Sequence, residues 1–471
     1  MPPPMACARR HPRRRLLMLD HSPRALASLA GLVFVGLSAG PALAQNLTQA
    51  YDLALRHDPD HAEALANRDA AAANGDLARA LWLPKAQLQA SSSYSRVTLH
   101  PDTTPAGLSN DGSGGAVLVG IEQPLIDGEA RAQSRQLRAG VQAGLAVYDA
   151  RRQKLALDVA QAYFDLLKAQ DLVASVLAQQ ALTQREQQAA QARFDAGRAK
   201  ITDVYEARAR ADALTAQLVD ARAQQDLAQS RLAEFTGLDD FAPLRPRTDL
   251  AAAAPSEALS LWQARAEDNA PSIAARRAQL AASQAKADQY RWSSQIKISA
   301  TATAGELWRG GSDSALLGVA LPDRAEGFTA GVRLKAPLYT GGSLTAQRSQ
   351  AQAQARGADA QLAAAKRDLR LDVEKAWRAQ RSGADQILAL RAALASAQLQ
   401  EQAAVTGREV GVRTQTDVLA SQAQSFETDR RLRSALYDYE YSRLALSVAA
   451  GSLDDKTLAQ ADQDLTEPAS R

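Results

Sequence analysis

Gln123-Pro124-Leu125-Ile126-Asp127-Gly128 recurs, about 213 residues later, as Ala336-Pro337-Leu338-Tyr339-Thr340-Gly341-Gly342. The same shift runs through the chain. Asp58-Pro59 is echoed by Ala270-Pro271, and Trp82 by Trp292. Leu155, Asp158, Val159, Ala162 and Tyr163 are echoed by Leu369, Asp372, Val373, Ala376 and Trp377. Gly197-x5-Asp203-Val204 is echoed by Gly411-x5-Asp417-Val418, and Thr236-Gly237 by Ala450-Gly451. Chance matches would scatter in offset, and these stay within a few residues of one another. The shift far exceeds the roughly 20–50-residue periods of solenoids, so the chain is a duplicated domain.

Both halves predict the same order of elements. The first repeat, 45–237, has helices at 46–57 and 60–84, a strand pair at 86–99 and 115–125, a long helix at 127–193 and a last helix at 202–236. A segment rich in Pro and Ala, 238–255, links the halves. The second repeat, 256–453, has helices at 256–269 and 272–294, strands at 296–306 and 328–339, a long helix at 343–408 and a last helix at 415–450. Residues 454–471 form a tail. Pro59 and Pro271 restart a helix at an early position, where the missing N–H costs nothing. Pro124, Gly128, Pro337, Gly341 and Gly342 mark the strand-to-helix turns, and Gly197 and Gly411 the breaks after the long helices.

The strands carry a two-residue period. Ile296, Ile298, Ala300, Ala302 and Ala304 alternate with Lys297, Ser299, Thr301 and Thr303; Phe328, Ala330, Val332 and Leu334 alternate with Thr329, Gly331, Arg333 and Lys335. The alternation is weaker around Val117, Val119 and Ile121, and weaker still around Leu88 and Ala90. About ten residues per strand suits a tilted bilayer crossing, and Trp82, Tyr94, Trp292, Phe328 and Tyr339 stand near strand ends, where interfacial aromatics belong. A soluble four-stranded sheet with one wet face has the same pattern. If the strands cross a membrane, 100–115 and 305–327 are extracellular loops. Four strands cannot close a barrel, and an open edge in lipid is prohibitive. A dimer would supply eight strands and a trimer twelve, and only twelve leave room for a pore.

A helix of some 67 residues is about 100 Å long. Leu155, Val159, Ala162 and Leu166 recur at seam spacing along it. Aromatics make up 5% of the chain, too few for a core of bulky side chains. Alanine-rich, charge-laced sequence suits long helices packed along narrow seams, as in a coiled coil, so the long helices form a rod or the wall of a tube.

Residues 1–44 are expected to be a signal peptide, with a start at Met1, Met5 or Met18. Six arginines and the run Ala25–Leu37 precede Ala42-Leu43-Ala44, a small-x-small site that makes Gln45 the first mature residue. Cys7, the only cysteine, lies in the leader, which leaves no disulfide, thiolate or lipid-bearing cysteine. The leader also carries six Arg against one Asp, so its removal takes the net charge from +3 to −2. A nucleic-acid partner then has no electrostatic support. No run of about 18 apolar residues follows.

At this point the chain resembles the TolC family of outer-membrane efflux and secretion channels, over about 46–453. The turns quoted above carry the resemblance. So do Phe194-Asp195-Ala196-Gly197-x3-Ile201-Thr202-Asp203-Val204 and Gly407-Arg408-Glu409-Val410-Gly411-Val412-Arg413-Thr414-x-Thr416-Asp417-Val418-Leu419. The resemblance implies a mainly α protein with a β-barrel. It would be a homotrimer with a twelve-stranded barrel in outer-membrane lipid and a twelve-helix periplasmic tunnel, with no enzymatic activity and no cofactor. An inner-membrane transporter, of ABC or other type, and a periplasmic adaptor protein would dock at the tunnel's inner end.

The resemblance also implies a periplasmic gate. Thr202 and Asp203 match its acceptor side and Arg413 its cationic side. Arg408 stands where the family pattern has a Tyr that reaches the same Asp. Asp417 matches an acidic ring of the constriction, where three copies would favour cations and raise one another's pKa. A second acid of that pattern falls at Ala420, which implies one ring and weaker cation selectivity. Without the resemblance, Asp203 and Arg413 read as solvated helix-end charges.

His57 and His61 stand four apart, but Pro59 lies between them at a helix restart, so no metal site is expected. There is no GxSxG, phosphate loop or HExxH. Within the family, type I secretion of a protein such as a calcium-binding repeat toxin competes with efflux of small toxic molecules. The missing lipid cysteine favours secretion. A soluble periplasmic structural or adaptor protein is the reading from another class.

Overall fold

The structure is a computed structural model, and it describes residues 45–99, 108–247, 249–311, 323–453 and 455–468. Helices α1 (Leu47–His57) and α2 (Pro59–Ala80) lead into strands β1 (Lys85–Leu99) and β2 (Leu108–Asp127), then α3 (Gly128–Asp195) and α4 (Ile201–Thr236). A short strand β3 (Leu244–Pro246) follows. Next come α5 (Leu259–Asn269), α6 (Pro271–Gln289), a 3-10 turn (Trp292–Gln295), β4 (Lys297–Gly311), β5 (Arg324–Lys335), α7 (Ser343–Glu409) and α8 (Gln415–Ala449). The chain ends in α9 (Asp455–Gln463) and β6 (Leu465–Pro468).

The four long strands form one antiparallel sheet in the order β1-β2-β4-β5. Residues 108–114 and 307–311, expected as loop, extend β2 and β4. Their glycines suggest a turn, but the ladder continues through Gly114↔Arg309 and Gly115↔Trp308. A Cβ on Gly115 would lie 2.4 Å from the Trp308 indole, so the glycine is what admits the ring. β5 stops at Lys335 rather than 339, because Pro337 has no N–H for a ladder. β5 likewise begins at Arg324 rather than 328, and the expected-loop residues 100–107 and 312–322 lie outside the described residues, as does the leader 1–44.

α3 has 68 residues, about 100 Å at ~1.5 Å per residue. It packs against α2 and α6 nearer the sheet and against α4 and α8 farther away. Alanines such as Ala146, Ala156, Ala160 and Ala169 are buried along it. Asp58 caps α2, accepting from the Asp60 and His61 N–H groups at 2.6 and 3.0 Å. Among the described residues no helix is long and apolar enough to cross a membrane.

The largest apolar core lies midway along α3. Val159, Tyr163, Phe164, Leu166 and Leu167 meet Leu47 and Tyr51 of α1, Leu232 of α4, Phe241, Tyr437 of α8 and Leu458 of α9. Tyr163 donates its hydroxyl to the Leu244 carbonyl at 2.8 Å. Beside it, Arg245 and Asp171 pair at 2.8 Å with almost no solvent contact, and Tyr437 donates to Asp171 at 2.5 Å. The expected linker and tail are therefore built elements: β3 pairs with β6, and the Asp462 carboxylate accepts from the Leu47 and Thr48 N–H groups at the start of α1.

Candidate functional site

Two places in the fold carry function-bearing chemistry. The first is the sheet. Its register puts Leu88, Val119, Ala304 and Phe328 in one row, with Ala86, Ile121, Ala302 and Ala330 in the next row on the same face. Val332 and Leu334 extend this face on β5. The other face carries Gln87, Gly120, Thr303 and Thr329, then Lys85, Glu122, Thr301 and Gly331, with Arg333 and Lys335 beyond. Leu88, Phe328, Val332 and Leu334 are 67–72% exposed. Water would not leave such a face bare, whereas lipid solvates it.

Tyr94 and Trp308 stand at one end of this apolar face; Trp292, Leu338 and Tyr339 stand at the other, all exposed. Trp292 donates its ring N–H to the Pro337 carbonyl at 3.1 Å, which ties the 3-10 turn to the β5–α7 turn. From Ile298 to Trp308 the strand runs about 33 Å at ~3.3 Å per residue, or about 25 Å of depth at a tilt of about 40°. That is the height of an outer-membrane apolar band. At the base, Gly128 opens α3 hard against the 3-10 turn, where a Cβ would lie 2.6 Å from the Ser294 Cα. Gly341 and Gly342 have φ of 61° and 82°, the left-handed conformation that the second turn needs and that glycine adopts freely.

The second place is the far end of the long helices. Gly197 and Gly411 have φ of 70° and 83°, and each ends its helix with a six-to-one bond, Arg198 N–H to the Arg193 carbonyl and Val412 N–H to the Gly407 carbonyl. This is the Schellman cap, repeated in both halves. Thr202 donates to Asp203 across 3.5 Å. Arg413 is exposed, and its stem folds onto Gly407, where a Cβ would lie 2.7 Å from the Arg413 Cγ. Among the described residues neither Asp203 nor Arg413 makes an ion pair within the protomer, so Thr202 and Asp203 are not brought to Arg413 inside one chain.

Within the protomer Arg408 does not reach Asp203. It bonds instead to Glu186 of α3 at 2.5 Å and to the Gln415 side-chain carbonyl at 2.9 Å. Gln415 donates to Glu186 at 2.9 Å, and Arg193 reaches Gln415 at 3.3 Å. An arginine is long enough to reach across to the α3 seam, where Glu186 is half-buried between Thr183 and Ala190. Thr416 adds a bond to Glu206 of α4 at 2.5 Å. Glu186, Arg193, Gln415, Thr416 and Glu206 carry no site role in the sequence reading. Glu186 alone left a signal there, as an acid three residues from Thr183 in a seam that runs Val176, Thr183, Ala190.

Within the protomer Asp417 is held by its own helix start. It completes a capping box at the start of α8: Thr414 N–H donates to its carboxylate at 2.9 Å, and its own N–H donates to Thr414 Oγ1 at 3.1 Å. The hydrogen bonds from Thr414, with Arg413 adding to them, hold its carboxyl below the ordinary value. His61 bonds the Leu55 carbonyl at 2.9 Å and stands 3.4 Å from the Tyr148 hydroxyl, while His57 lies against Gly237.

A sheet with one lipid-compatible and one polar face, borne on two helices about 100 Å long that each fold back into a shorter one, defines the protomer of a membrane channel with an attached tunnel. The chain belongs to the outer membrane efflux protein family, whose model matches residues 50–238 and 262–452, one segment per repeat. It is 29% identical to outer membrane protein TolC of Escherichia coli over 460 residues, covering 94% of this chain and 90% of that one. It is 26% identical to the alkaline protease secretion protein AprF of Pseudomonas aeruginosa over 431 residues, covering 90% and 88%. Among solved structures, CusC superposes with a TM-score of 0.72 at 18% identity, covering 87% of this chain and 93% of that one. VceC from Vibrio cholerae gives 0.70 at 20% identity, covering 86% and 96%. The protein is thus an outer-membrane channel with a periplasmic tunnel, and not an enzyme.

Proposed function

We propose that this channel is the outer-membrane conduit of a type I secretion system. It would work as a homotrimer with an inner-membrane ABC transporter and a periplasmic adaptor protein, and export a repeat toxin of the adenylate cyclase-haemolysin kind. The observation that carries the trimer is the sheet itself. Four strands with an apolar face and two free edges, β1 and β5, close only by edge-to-edge pairing between copies. Two relatives bear names from secretion: AprF, and the proteases secretion protein PrtF of Dickeya chrysanthemi, 25% identical over 437 residues. Multidrug efflux is the second reading, favoured by the family's own description. Deleting the gene decides between them. Loss of toxin from the medium with unchanged drug sensitivity supports secretion, and the reverse result supports efflux.

In this reading the helix turns form the periplasmic gate. Thr202 and Asp203 of one copy accept from Arg413 of the next, and the Arg408–Glu186–Gln415 cluster ties the α7–α8 turn to α3 within each copy. Both are charge-assisted contacts in a partly desolvated mouth. Asp417 serves first as the cap of α8. Arg413→Ser or Asp203→Ala in planar bilayers should raise single-channel conductance; unchanged conductance would reject this latch.

A further inference from the structure

We propose that Arg333 and Lys335 form a cationic ring inside the barrel, just beyond the tunnel, that engages acidic segments of an extended polypeptide in transit. The inference rests on the protein-export reading above and names the chemistry of its cargo. Both side chains stand on β5, on the face shared with Thr329, Gly331 and, across the ladder, Thr301 and Thr303. This is the face opposite Phe328, Val332 and Leu334. Lipid takes the apolar face that Phe328, Val332 and Leu334 build, so Arg333 and Lys335 on the opposite face look into the lumen.

Most charges near them are matched. Lys297 is held by Glu129 at 2.6 Å and by Asp127 at 3.8 Å. Lys85 sits directly opposite Glu122 in the ladder. Arg333 lies across from Ser299, is exposed, and makes no ion pair among the described residues. Lys335 lies across from Lys297 and shares the field of Glu129 with it. Three copies would set about six cations in a ring where the pore is narrow enough for charge to focus. An extended chain offers that ring carboxylates at every acidic residue. The contacts are solvated and single-point, so each engages briefly and releases, as conduction requires.

The test uses the full-length trimer in planar bilayers at 0.1 M KCl. Poly-L-glutamate or poly-L-lysine is added on the barrel side, and current blocks are counted. Poly-L-glutamate should block roughly ten times more often than poly-L-lysine, and the R333Q/K335Q variant should lose most of that excess. The R333K/K335R variant should keep it, and 1 M KCl should erase it. Equal block by the two polymers, or an unchanged excess in R333Q/K335Q channels of normal conductance, would overturn the proposal. The secretion reading fails separately, in the export assay: an efflux channel with this ring would still show the block, and a secretion channel without it would not.

Discussion

Asp203 and Asp417 hold the same third position of α4 and α8, yet their surroundings part them. Thr414 caps α8 and takes up the Asp417 carboxylate. Lys200 stands at the same place before α4 and offers no side-chain cap, which leaves Asp203 available. Duplicated residues therefore need not keep duplicated jobs, and only the neighbours two or three positions away decide. Asp417→Asn should cost α8 its box while leaving cation selectivity, read from reversal potentials in a KCl gradient, nearly unchanged. A large loss of selectivity would assign Asp417 to an acidic ring of the constriction as well as to the cap. Glu186→Gln breaks the Arg408 cluster, in which a bond to a charged group is worth about 1.5–3 kcal/mol. Conductance should rise, whereas an unaltered current would make the cluster a mere packing contact.

Glu440 gives the residue scale its clearest pH dependence. It is almost wholly buried, and desolvation pushes its carboxyl up to about 7, against the pull of Arg443 at 2.9 Å. An unfolded Glu titrates near 4.3, so between about 4.3 and 7 the folded state binds the extra proton. Stability contributed by this group is then greatest below that window and falls as pH rises through it, by at most about 4 kcal/mol. Melting of the detergent-solubilised protein should accordingly fall between pH 5 and 8, and Glu440→Gln should flatten that slope. An identical slope in the variant would assign the dependence to other groups.

At the scale of elements, the sheet shows what could be read in sequence and what could not. Alternation is plain in β4 and β5 because Ile298 and Phe328 contrast with Lys297 and Thr329. It is faint in β1, where Ser91, Ser92 and Ser93 suit either face, and register against β2 alone assigns their sides. The glycines of β2 mimic a loop until Trp308 is seen to cover one of them. The long helices were legible to within two residues, since seam spacing and the glycine breaks are local signals. The Arg408–Glu186 bond was not, because it joins residues 222 apart through a packing angle that no local pattern encodes. The faces make a sharp prediction. Phe328→Arg, at mid-depth opposite Ala304, should cost about 2–4 kcal/mol on the lipid side and lower the yield of membrane-inserted protein. Thr329→Arg, the next residue but on the other face, should insert normally and change only conduction. Equal insertion of both variants would contradict the assignment of faces.

Over the chain from residue 45 onward, the two repeats are joined at one level by segments outside either repeat. Gln45 donates its N–H to the Ala242 carbonyl at 2.8 Å and accepts from Leu244 at 3.1 Å. β3 pairs with β6, Asp462 caps α1, and Asp464 bonds Arg443 at 2.7 Å. Start, middle and end of the chain thus meet around Tyr163, where the bulky core also lies. Away from it the apolar clusters between helices are smaller, as where Val176 of α3 meets Leu214 and Leu218 of α4, so sliding there costs less apolar contact than at this level. Stability and gating are then separable along the long axis. Asp462→Ala removes one cap and should cost about 1 kcal/mol. Asp171→Ala strands a buried guanidinium and should cost about 3–5 kcal/mol. Removing residues 455–471 deletes the β3 partner and the Leu458 and Leu465 contacts together. It should lower the melting temperature of the assembly by more than the two single variants do, yet leave the conductance of surviving channels unchanged. A truncated protein that melts normally but conducts more would move the mechanical centre from this level to the helix turns.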